Sequence, residues 1–207
     1  MSKTGPFAFA LAAMALAAPV QSADFSDPTW PCIQRKVEQL SLGLMWPFPV
    51  DPALLDTDKT LRDDVADLAD ALALRRVELE DLHPQVEAFA TQYNGDPAIL
   101  GLVFDRVFNG LSKRRGRIIK GIGEFSLSQI ALAEQIDATR LEMDTALAAT
   151  EPDFDKIDSL EERLDWDQLI YTDRQRSITY LCETPQIIER RLFSIAQMLQ
   201  QVAQDQG

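Results

Sequence analysis

Apolar residues return at alternating steps of three and four through three stretches of this chain, with polar residues between them. That beat predicts helices that pack lengthwise on one another. The first stretch reads as a helix from about Asp58 to Leu82, with the stripe Leu61, Val65, Leu68, Leu72, Arg75, Leu79 and Leu82. Thr60 and Asp63 resemble a capping box at its start, and His83-Pro84 supplies the stop. Arg75 is the one basic interruption of the stripe.

A short helix is predicted over 85–93, followed by the turn Asn94-Gly95-Asp96-Pro97, where Asp96 suits a cap and Pro97 a first helical position. The next segment, 98–111, repeats Leu100, Phe104, Val107 and Leu111. Gly110, Gly116, Gly121 and Gly123 then weaken the pattern, so a bend near 112–116 and an unbroken helix stand as alternatives. The period resumes at Ile118, Ile122, Phe125, Gln129, Leu132, Ile136, Met143 and Leu147. Thr150 marks a cap before a fresh helix, in which Ile157, Leu164, Tyr171, Ile178, Pro185, Leu192 and Leu199 recur every seven residues. Leu160, Leu181, Ile188, Ile195 and Val202 complete that stripe. Because the register survives Pro185, one long kinked helix is expected there, with a second helix capped by Thr184 as the alternative.

No period-two alternation competes with these helices. The expected fold class is all-α: an elongated antiparallel helical bundle or coiled-coil hairpin of three to four long helices over 58–207. Residues 24–57 precede it as an ordered strap rich in proline and aromatic residues. Pro28, Pro31, Pro47, Pro49 and Pro52 forbid a long helix there, leaving only Ile33 to Leu44 room for a short one. Trp30, Trp46 and Phe48 would either seal the bundle or form a docking patch for another protein.

Residues 1–23 read as a secretory signal, with Lys3 ahead of the apolar run Phe7 to Val20 and cleavage after Ser22 or Ala23. A retained anchor is the other reading. Export to the bacterial periplasm is the expectation. The chain carries 20 basic and 33 acidic side chains, a net charge of −13 that becomes −14 once Lys3 is removed. A field of that sign disfavours nucleic acid as a partner, and allows at most weak contact with an anionic membrane surface through a local basic patch.

Two cysteines, Cys32 and Cys182, would meet an oxidising compartment and are expected to pair, closing a loop of 150 residues. Intermolecular pairing or two free thiols are the alternatives, and the absence of Cys-x-x-Cys removes a thioredoxin-like role. His83 is the only histidine, which leaves a Ser-His-Asp triad and histidine-rich metal sites without material. The acids are dispersed along helices instead of alternating through a calcium loop, and no phosphate-binding loop is present. No catalytic residue, cofactor or metal is therefore expected.

One feature stands against the acidic background. Arg106, Lys113, Arg114, Arg115, Arg117 and Lys120 form a basic run, either pairing with acidic helices across the bundle or docking an acidic protein surface or anionic lipid heads. The expected function is that of an exported non-enzymatic interaction protein: a scaffold, adaptor or accessory subunit of an envelope protein or membrane complex. The alternative is a periplasmic bundle that binds or senses a small ligand near Tyr171, Trp166 and Arg75. Homodimerisation through the same stripes is compatible with either.

Overall fold

The structure is a computed structural model describing residues 27–206; the predicted signal at 1–23 lies outside the described residues. All regular structure among them is helical: α1 (Leu54–Thr57), α2 (Lys59–Ala73), α3 (Leu79–Gln92), α4 (Pro97–Leu147) and α5 (Phe154–Gln206), with a single 3-10 turn at Leu42–Leu44. Two long helices, α4 and α5, pack against each other over most of their length. With 51 and 53 residues they extend about 76 and 80 Å. Contacts from Arg115 to Glu189, Gln135 to Asp167 and Glu142 to Lys156 show that they run antiparallel.

The α4 helix starts where the sequence predicts. Asn94 and Gly95 take left-handed φ angles of 55° and 65°, and the Asp96 carboxylate accepts from the Ala98 amide at 2.8 Å. Beyond that turn α4 is unbroken, which settles the choice at 112–116 in favour of a continuous helix. The α5 helix likewise continues through Pro185, with Thr184 bonding back to the Tyr180 carbonyl and so not capping a new start. At its beginning the expected cap is corrected: Asp153, not Thr150, accepts from the Lys156 amide. Leu147, expected in the stripe, is half exposed at the end of α4.

The first predicted helix is two helices. Asp58, not Thr60, caps α2 by accepting from the Leu61 amide at 3.0 Å, and the helix stops at Ala73 because Leu74 turns to an extended conformation. The Arg191 guanidinium explains that stop. It donates to the Leu72 carbonyl at 2.8 Å, which the ended helix leaves free, and to the Val77 carbonyl in the reversal at 3.0 Å. The chain reverses, and α3 carries Leu82, Val86 and Phe89 back along Leu61, Val65 and Leu68. His83-Pro84, read as a stop, lies inside α3. Arg75, the interruption in the stripe, lies at the exposed reversal.

Helix α2 packs on α4, α3 on α5, and α2 on α3, so the deep core lies at one end of the long pair. There Leu72, Leu100, Phe104, Ile188, Leu192, Ile195 and Leu199 are fully buried, each contributing about 2 kcal/mol. Tyr93 ties α2 to α3 by donating its hydroxyl to Asp64 at 2.6 Å. A smaller cluster of Trp30, Cys32, Ile119, Ile122 and Cys182 sits midway along the pair. Cys32 and Cys182 form a buried disulfide across it, as expected.

Two consequences can be measured. Replacing both cysteines by serine removes a cross-link spanning 150 residues, and the chain-entropy model sets the loss at up to about 5 kcal/mol; urea unfolding of the variant should show a lower midpoint. Burial, with the Asp64 hydrogen bond second, pushes the Tyr93 phenol up to about 12. A pKa raised on folding stabilises the neutral form, so this contribution is complete below pH 10 and is lost as pH rises through 12. An ultraviolet titration should show a phenolate step near 12 that Tyr93→Phe abolishes.

Candidate functional site

The basic run falls on α4, and the helix repeat divides it. Arg115 points inward and is 3% exposed. Its guanidinium lies 2.7 Å from Glu189 on α5, 2.6 Å from the Val37 carbonyl and 3.3 Å from the Glu38 carbonyl. One buried cation thus holds the N-terminal segment against both long helices. The bonds also explain why Ile33 to Leu44 is not a helix beyond its last turn: carbonyls that a helix would use internally are taken by Arg115, and that of Gln34 by the Trp30 indole at 2.6 Å. Ile33 and Leu44 are exposed, so their helical spacing carries no packing.

The other cations stay at the surface. Arg106 meets Asp70 of α2 at 3.4 Å and Lys120 meets Glu124 one turn on at 3.6 Å. Lys113, Arg114 and Arg117 are exposed, and among the described residues none of the ion pairs involves them. The six residues therefore do not form a single patch. Arg115 belongs to the interior, and the remaining five lie along the outside of α4.

The aromatic residues divide in the same way. Trp46 is buried, stacked on Phe104 at 5.6 Å and edge-on to Phe48 at 5.5 Å. It lies so close to α4 that a Cβ on Gly101 would stand 2.7 Å from its indole nitrogen and 2.9 Å from Val50. Trp30 is buried beside the disulfide. Of the three, Phe48 alone reaches solvent, with 36% of its surface exposed. Trp30 and Trp46 are thus inside the fold, and Phe48 alone of the three is available at the surface.

The three residues expected around a ligand do not converge. Tyr171 borders a groove of about 370 Å³ between α4 and α5, with Pro31, Phe125, Ile130 and Ile178 on its walls. Trp166 faces outward on α5. Arg75 lies near Arg191, 20 residues from Tyr171, or about 30 Å along the helix. Among the described residues no group of three or more His, Cys, Asp or Glu could hold a metal ion, and no helix is long and apolar enough to cross a membrane. His83 sits on the surface beside Glu87.

Among the described residues, the part left uncovered by other elements is the far end of the long pair. The N-terminal segment reaches Ser126, whose hydroxyl donates to the Pro28 carbonyl at 2.7 Å; beyond it, among the described residues, α4 and α5 have only each other. Their seam there mixes Ile136, Ile157, Leu160 and Leu164 with polar residues. Asp167 is 8% exposed and accepts from Gln135 at 2.7 Å, while Thr139 bonds to its own helix. On the outer faces Leu141 is 69%, Phe154 67%, Trp166 64% and Leu169 55% exposed. Residues 127–177 carry thirteen acids against five bases, a net charge of −8. The stripe analysis missed these outward residues because it sought the internal seam; Trp166 and Leu169 lie opposite Leu164 on the helical wheel, which the sequence shows.

No family model matches the chain, and neither a curated protein nor a solved structure is detectably similar to it.

Adjacent arginines give a direct test of the division. Arg115→Ala leaves Glu189 and two carbonyls without their partner and should lower stability by about 3 kcal/mol. Arg114→Ala, at an exposed position, should change it by less than about 0.5 kcal/mol. Urea titrations of the two variants make the comparison.

Proposed function

We propose that the chain is an exported, non-enzymatic interaction protein, a scaffold or accessory subunit of a cell-envelope complex. In this reading the helices form an antiparallel bundle at one end and a coiled-coil hairpin at the other, and the N-terminal segment is a strap that clamps them together. The bundle end is the stable platform. The hairpin beyond Ser126 is the contact element.

The observation that carries the reading is the outward pair Trp166 and Leu169, one helical turn apart and more than half exposed, on an arm of strongly negative charge. Large apolar side chains gathered on an outer face favour a protein partner over water. Glu162, Asp165 and Asp173 surround them on the same face, so the complementary surface is apolar with a basic rim. The signal at 1–23 and the disulfide support an extracytoplasmic setting. The single histidine and the inward use of Arg115 leave little chemistry for catalysis.

Crosslinking of the tagged chain in its own envelope, in parallel with a Trp166→Ala/Leu169→Ala variant, tests this. The expected outcome is a reproducible complex that the double variant loses by tenfold or more, with unchanged thermal unfolding because both side chains face solvent. Equal capture by the variant, or recovery of the free chain alone, rejects the proposal.

A further inference from the structure

The outer surface of α4 has an order that its internal packing does not require. Positions 106, 110, 113, 117, 120 and 124 continue as 127, 131, 134, 138, 141 and 145, in alternating steps of four and three, and every one is exposed. The near half is basic, through Arg106, Lys113, Arg117 and Lys120. The far half is apolar and acidic, through Leu127, Ala131, Glu134, Ala138 and Leu141. Gly110 occupies this stripe in the interior of a long helix, where a glycine weakens the fold, yet a Cβ there would meet nothing within 4 Å. Nothing among the described residues accounts for it.

We propose that this face pairs with a second copy of the chain, antiparallel, about a twofold axis between Glu124 and Leu127. Reversing the stripe about that point superimposes its spacing on itself. Gly110 then receives the partner's Leu141, a large side chain 69% exposed in the single chain, so a notch meets a knob. Arg117 faces the partner's Glu134, and Lys120 faces the partner's Ala131 beside that carboxylate. Leu127, 48% exposed, faces the partner's Glu124 next to the axis. Each contact occurs twice, as an isologous interface demands.

Charge decides the direction. A parallel pair would set Arg117 on Arg117 and Glu134 on Glu134, whereas the antiparallel pair sets opposite signs together. Among the described residues neither Arg117 nor Glu134 is engaged in an ion pair within the chain. Among the described residues the face is uncovered from Gly110 to Leu141, 31 helical steps or about 46 Å. Trp166 and Leu169 lie on α5, outside this contact, so pairing and the proposed partner do not compete.

Sedimentation equilibrium of the purified chain at near-physiological salt provides the test. A monomer–dimer equilibrium is expected, with Arg117→Glu and Glu134→Arg each raising the dissociation constant tenfold or more. The chain carrying both changes should recover dimerisation, because the swapped charges meet again only in the antiparallel register. Gly110→Leu should weaken the dimer by filling the notch, without lowering the melting temperature of the dilute monomer. A chain monomeric at all accessible concentrations overturns the proposal, as does a dimer indifferent to Arg117→Glu or unrestored by the double swap. Circular dichroism of each variant confirms that the helices are retained.

Discussion

The structure depends on how much apolar surface two helices can hide from water when they have only each other. A lone pair has one seam, and each helix can bury little more than one stripe in it. The length of α4 and α5 therefore cannot be stabilised uniformly. Where α2 and α3 close over them, Leu72, Leu100, Leu192 and Leu199 are out of contact with water. Toward the connection at 148–153 the seam thins to Ile136, Ile157, Leu160 and Leu164, interrupted by Asp167 and Thr139. Stability is graded along the molecule, and local opening is expected to be easiest at the far end.

Between these regions the N-terminal segment acts through few, concentrated contacts. It contributes no long helix, so it does not propagate a stripe. Instead Trp46 fills the space that Gly101 leaves open on α4, Arg115 gathers two of its carbonyls, Gln200 donates to the Met45 carbonyl, and the disulfide secures its outer part. These contacts join residues more than fifty positions apart. A small number of side chains thereby fixes the path of an irregular segment that its own backbone bonding would leave undetermined.

Helical character was legible wherever one periodic stripe belonged to one helix. The sevenfold recurrence from Ile157 to Leu199 led directly to α5, and Asn94-Gly95-Asp96-Pro97 to the start of α4. The stripe from Leu61 to Leu82 misled because its phase is preserved across a reversal: Arg75 was the sign of a break, and the cause, Arg191, is more than a hundred residues away. The basic run was visible as composition, but not its division, since Arg115 differs from Arg114 only by the turn of the helix and by which carbonyls approach it. Gly101 gave no signal, because its reason is the position of Trp46. Trp166 and Leu169 were legible in principle, as apolar residues out of phase with the internal stripe.

The disulfide also bears on the order in which the chain can be completed. During synthesis from the N-terminus, Cys32 is made 150 residues before Cys182, and no third cysteine exists with which it can pair wrongly inside the same molecule. Until the last helix arrives its thiol must wait, or be held by a foreign sulfur. The oldest part of the ordered chain thus gains its covalent tie only after the residues between the two cysteines have been made.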